Sequence, residues 1–131
     1  MFTNKLDIIE KYEPASHDSI VTAEKEIEHR IPQIYQEFLN MMNGACMDPC
    51  ILYGTDDLVE MYKCNEFSEY APEYISICND NGDCELIIKA EPDAVFCGWL
   101  GAGVIGSAEP EVWFDFKEWV EKGCPMNDKE L

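Results

Sequence analysis

Residues Gly101-Ala102-Gly103-Val104-Ile105-Gly106 match the GxGxxG spacing with which a glycine-rich loop admits a dinucleotide pyrophosphate. That chemistry needs the loop to open a helix whose N-terminal amides receive the phosphates. Ser107-Ala108-Glu109-Pro110 follows at once, so no long helix starts there, and Glu109 and Glu111 repel a phosphate. The stretch reads instead as a flexible or bulged connection near a sheet edge. Cys46, Cys50, Cys78 and Cys84 could in principle supply a tetrathiolate zinc site, but neither pair has the two-residue knuckle spacing. Cys78 and Cys84 straddle a hairpin and are expected to face each other across strands. Buried reduced thiols acting as small hydrophobes are the better reading. Asp80 and Asp83 resemble a calcium loop, yet aligning Gly82 with its glycine puts the first ligand on Ile77, which cannot coordinate. His17 and His29 have no nucleophile or paired acid at a recognisable spacing. No catalytic, cofactor-binding or metal-binding residue is assigned, and no cofactor is expected.

The remaining polar candidates are carboxylates suited to holding a basic partner. Glu66, Glu69 and Glu73 lead into a strand block, and Asp80, Asp83 and Glu85 sit at its hairpin, so the two groups are expected to share one rim of the sheet. Asp56, Asp57 and Glu60 form a second candidate patch. Such charge runs are most often solvated faces. Trp99, Trp113 and Trp119 read as core or sheet-face residues, with any exposed indole an obvious interface anchor.

The elements that position these residues follow from periodicity. Residues 1–44 read as helical. Ile20, Ala23, Glu24, Ile27 and Ile31 keep helical spacing, with Ser16 or Ser19 as caps and Pro32 ending that helix and opening the next. Ile34, Tyr35, Phe38, Leu39 and Met42 form a wide apolar stripe closed by Asn43-Gly44 as a left-handed cap. Ile51–Gly54 predicts a short strand, and 56–62 a short helix on acidic first-turn residues. Tyr74–Cys78 and Cys84–Ile88 flank Asn81-Gly82, a strong hairpin signal. Residues 94–99 predict a third strand, antiparallel to the second. Phe116, Trp119 and Val120 share a face of a closing helix stopped by Gly123 and Pro125. Helices, a strand block and a final helix make one α+β domain over 1–131, with N-terminal helices on a mainly antiparallel sheet.

Composition agrees. The chain has 131 residues, 47% of them hydrophobic and 11% aromatic, enough for a real core. It carries 27 Asp plus Glu against 9 Lys plus Arg, a formal charge of −18. That field repels nucleic-acid backbones and anionic membranes and favours a basic protein partner. The first residues lack an export signal's basic and apolar regions, and no apolar run approaches the ~20 residues of a membrane span. A cytoplasmic protein with seven unpaired thiols is expected.

The order of elements and their junctions resemble the SUKH superfamily (Smi/Knr-like). The resemblance runs from about Ile20 to Val120: Ile20, Glu24, Ile31-Pro32-Gln33-Ile34-Tyr35-Gln36-Glu37-Phe38-Leu39 and Asn43-Gly44, then Ile51-Leu52-Tyr53-Gly54 with Asp56-Asp57-Leu58. Tyr74-Ile75-Ser76-Ile77 and the terminal Phe116-Lys117-Glu118-Trp119-Val120 complete it. The hairpin carries Asn79 and Asp83 where the family favours glycine. The resemblance implies a binding module without catalytic residues. Bacterial relatives are mostly immunity proteins that neutralise toxins, many of them nucleases, whereas fungal relatives regulate cell-wall synthesis. The expectation is an immunity protein that covers a basic toxin domain; a regulatory or scaffold protein of cell-wall synthesis is the alternative.

Overall fold

The computed structural model describes residues 8–47 and 50–126. The first described element is a strand, β1 (Ile8–Lys11), paired antiparallel with β2 (Ala45–Met47) through Glu10↔Cys46 and Lys11↔Ala45. This corrects the helical reading of 1–44 at 8–11; residues 1–7, which also carried the export-signal reading, lie outside the described residues. A four-residue segment gains strand structure from the ladder it joins, and helical periodicity has no hold over so short a stretch.

Ser16 Oγ accepts the Ser19 amide (3.0 Å) and starts α1 (His17–Ile27), which buries Ile20, Ala23 and Ile27. Glu28, left-handed at φ 60°, ends α1 before Pro32 is reached. Glu24 then reaches across the connection, its Oε2 accepting the Ile31 amide at 2.8 Å. Pro32 caps α2 (Gln33–Met41), whose buried face is Tyr35, Phe38 and Leu39. The Tyr35 hydroxyl sits between the carbonyls of Tyr53 (2.5 Å) and Ile77 (3.0 Å) and so pins α2 to the sheet.

Met42 leaves α2 extended, so the left-handed Gly44 (φ 100°) lies beyond the cap position expected for it. Its conformation serves a close crossing. A Cβ on Gly44 would lie 2.8 Å from the Gly54 nitrogen, and one on Gly54 2.3 Å from the Asn43 carbonyl oxygen. Two side-chain-free residues are what let the two backbones touch.

β3 (Ile51–Leu52) leads through that crossing into α3 (Thr55–Cys64) and the single turn α4 (Phe67–Tyr70). β4 (Tyr74–Asn79), β5 (Cys84–Lys89) and β6 (Phe96–Gly101) follow, then β7 (Phe114–Asp115) and the closing helix α5 (Phe116–Glu121). The seven described strands lie in chain order β1 to β7, every ladder antiparallel. The fold is α+β, with helices before and after the strand block. Asp115 Oδ1 caps α5 by accepting the Glu118 amide (3.0 Å), and Phe116, Trp119 and Val120 are buried. Between β6 and β7 the chain crosses back over the sheet at Gly98, where a Cβ would lie 2.5 Å from Cβ of Pro110. Among the described residues no helix is long and apolar enough to cross a membrane.

Candidate functional site

The β4–β5 hairpin spends much of its polarity on itself. Asp80 Oδ1 accepts the amides of Gly82 (2.9 Å) and Cys84 (3.1 Å), Asn79 Oδ1 accepts that of Asn81 (2.8 Å), and Asn81 is left-handed at φ 64°. The exposed Asp83 holds the glycine stretch, its carbonyl accepting the Ala102 amide at 2.8 Å. Glu85 is a correction: expected on the surface, it is only 2% exposed. Its Oε1 accepts from the Tyr53 hydroxyl (2.8 Å) and from Ser76 Oγ, and its Oε2 from Asn79 Nδ2 (2.7 Å). Three donors converging on one carboxylate satisfy it inside the fold and leave it no reach to a partner.

Glu73 immediately precedes β4, whereas Asp80 and Asp83 follow its far end. Six strand residues place them about 20 Å apart. The shared rim expected of these carboxylates is therefore divided between opposite ends of the sheet. Glu66 and Glu69 are exposed on and beside α4, Glu66 itself left-handed at φ 55°. Glu73 lines a cleft of about 410 Å³ between α4 and the 105–109 connection, with Tyr70, Tyr74 and Glu109. There the Tyr74 hydroxyl donates to Glu109 Oε1 at 3.0 Å. Burial, reinforced by that carboxylate, pushes the Tyr74 phenol up to about 12.

Asp56, Asp57 and Glu60 stay together on the exposed side of α3. Its first turn suits two acids, since the N-terminal amides carry partial positive charge. Partial burial, then the charges of Glu60 and Asp56, hold the Asp57 carboxyl above its ordinary range. Asp56 also faces α1 across a cleft of about 530 Å³ lined by Asp18, Thr22 and Glu26. Glu26 is engaged by Lys63 at 2.6 Å, which holds its carboxyl down.

The glycine stretch opens no phosphate-binding helix: Gly101 ends β6, and Ala102–Val104 is a single 3₁₀ turn. Gly106, left-handed at φ 93°, packs beneath Tyr70, where a Cβ would lie 2.7 Å from the Tyr70 carbonyl oxygen. Cys78 pairs across the ladder with Leu86, not with Cys84, because Asn79 pairs with Glu85 and the next residue, Asp80, donates its amide to the Cys84 carbonyl at 3.2 Å. The buried Cys50 thiol instead meets those of Cys78 and Cys124, and burial holds the Cys78 thiol up. No disulfide is formed among the described residues, which include all seven cysteines. Nor do the described residues contain a group of three or more ligating side chains able to hold a metal ion.

Sequence reasoning missed a cleft of about 480 Å³ at the β4–β7 end of the sheet, lined by Glu91, Asp93, Phe96 and Trp113 among others. Trp99 and Trp119 are buried, but Trp113 is 37% exposed and Phe96 57%. Spacing alone does not set Trp113 apart, since it stands three residues before Phe116 and seven before Val120; it escapes the buried face only because α5 begins at Phe116.

Comparison with known proteins places these elements. No curated protein matches the chain. The family model of the SMI1/KNR4 family (SUKH-1) matches residues 14–122, from just before α1 to just after α5. That span holds the Ile31-Pro32 junction, the Gly44–Gly54 crossing, the hairpin and the Trp119 helix in one continuous match. The chain belongs to the SMI1/KNR4 (SUKH-1) family.

Proposed function

We propose that this chain is a cytoplasmic immunity protein that binds and neutralises a basic toxin domain, a nuclease by class, through occlusion and charge complementarity and without catalysis of its own. The observation that carries the reading is the charge: 27 acidic against 9 basic residues on a chain of 131 residues that matches the family over 14–122. A nuclease must present a basic groove to its substrate, and a folded polyanion competes for that groove while rejecting nucleic acid itself. The exposed carboxylates at 56, 57 and 60, at 66, 69 and 73, and at 83 spread this field around the molecule.

The test is co-expression with the toxin domain encoded by the neighbouring gene. The proposal expects growth to be restored and a stoichiometric complex to be recovered. A toxin that kills regardless, with no complex formed, overturns it. A regulator of cell-wall synthesis would lack such a neighbouring gene and would change envelope composition on deletion.

A further inference from the structure

We infer that the cleft between Phe96 and Trp113 is a docking site for an arginine-bearing segment of a basic protein partner. The inference deepens the proposed function by naming a face, and it rests on that reading for the partner's charge. Register brings the cleft together: Tyr74 starts β4 opposite Lys89 at the end of β5, and Phe96 starts β6 opposite Asp115 at the end of β7. Trp113 stacks on Tyr74 with centroids 6.1 Å apart and planes 29° from parallel. Tyr74 is itself held through its hydroxyl by Glu109. The indole is thus fixed against one ring while it remains 37% exposed where it lines the cleft.

Phe96, 57% exposed, is the most exposed of the large hydrophobic side chains among the described residues, and it lines the same cleft. Rigid aromatic surface of this kind is what interface anchors are made of. The rim decides the occupant. Glu91 and Asp93 supply two carboxylates against the single ammonium of Lys89, so the cleft carries net negative charge. A guanidinium satisfies both features at once, stacking flat on an indole while its edge donates to carboxylates; an ammonium is bulkier in hydration and lacks the planar fork.

The test uses the intact protein and two blocked pentapeptides, Gly-Arg-Gly-Arg-Gly and Gly-Lys-Gly-Lys-Gly, followed by NMR of the backbone and indole N–H groups. The arginine peptide is expected to shift the Trp113 indole saturably and to bind severalfold more tightly than the lysine peptide. Trp113→Ala should weaken it about fivefold or more. Phe96→Ala, at a side chain pointing largely into solvent, gives the same readout should the Trp113 variant disturb Tyr74. Glu91→Gln with Asp93→Asn should weaken binding and flatten its salt dependence, and Lys89→Ala should strengthen it. Shifts centred on Asp56, Asp57 and Glu60, or spread evenly over the surface, overturn the inference. So does concentration-dependent broadening at Trp113 without peptide, which would assign the face to a second copy of this chain. If the Phe96 and Trp113 variants bind the neighbouring toxin domain with unchanged affinity, the cleft assignment falls while the toxin reading stands. If the peptide fills the cleft but no toxin binds, the toxin reading falls alone.

Discussion

Asn43 Oδ1 accepts the Thr55 amide at 2.7 Å, so α3 is capped from eleven residues before its own N-cap, Gly54, by a side chain that follows α2. Gly54 has no side chain to do this, and adding one is barred by the Asn43 carbonyl. One asparagine therefore couples the end of the helical segment to the start of the helix that carries Asp56 and Asp57.

Asn43→Ala should remove that cap and lower stability by about 1 kcal/mol, up to ~2 in a tight site. Urea unfolding checks this as a fall in midpoint at constant slope. An unchanged midpoint would show that α3 does not depend on the bond.

Glu85→Ala should be costlier, because it leaves the buried Tyr53 hydroxyl, Ser76 hydroxyl and Asn79 amide facing an empty acceptor site. A loss of about 3 kcal/mol is expected, against about 1 for Tyr53→Phe, which removes one donor and keeps the others paired. Equal losses in the two variants would contradict a shared network.

Trp119→Ala should cost about 3–5 kcal/mol. The ring is 1% exposed, meets Trp99 and Phe114, and donates from Nε1 to the Pro125 carbonyl at 2.9 Å. Unfolding in denaturant like the parent would mean that α5 does not dock.

Alkaline pH should destabilise the fold through its tyrosines. Tyr74 is pushed up to about 12, chiefly by burial, and Tyr53 is raised by burial and by Glu85. In an unfolded chain these phenols ionise near pH 10. A folded pKa above the unfolded one contributes stability that is fully present below about pH 10 and is lost as pH rises through the folded value. Denaturation midpoints followed from pH 8 upward should fall beyond about pH 10, and a flat profile to pH 12 would refute the sign.

Much of the architecture was legible because local and tertiary preferences agree. Tyr35, Phe38 and Leu39 announce α2 and are its buried face; Asn81-Gly82 announces the hairpin, with Asn81 taking the left-handed conformation. β1 and β7 were not legible, since strands of four and two residues exist only through the ladders they join. Glu85 misled because a lone carboxylate in an acidic chain resembles every other surface acid. The signal lay in its partners, as Tyr53 and Ser76 are polar residues inside otherwise apolar strand sequences. The aromatic cleft needed register: Phe96 and Trp113 are distant in sequence and come to line one cleft through the pairing of β6 with β7.

The central claim, that a distributed charge of −18 draws in a basic toxin domain, is tested most directly by stopped-flow association of the chain with the toxin domain of the neighbouring gene across a salt series. The Debye length falls from about 10 Å at 0.1 M salt to about 3 Å at 1 M. Steered encounter should therefore slow by about tenfold or more over that range, with the dissociation rate much less affected. An association rate that does not change with salt, in a complex that nonetheless forms, would contradict charge complementarity as the basis of recognition.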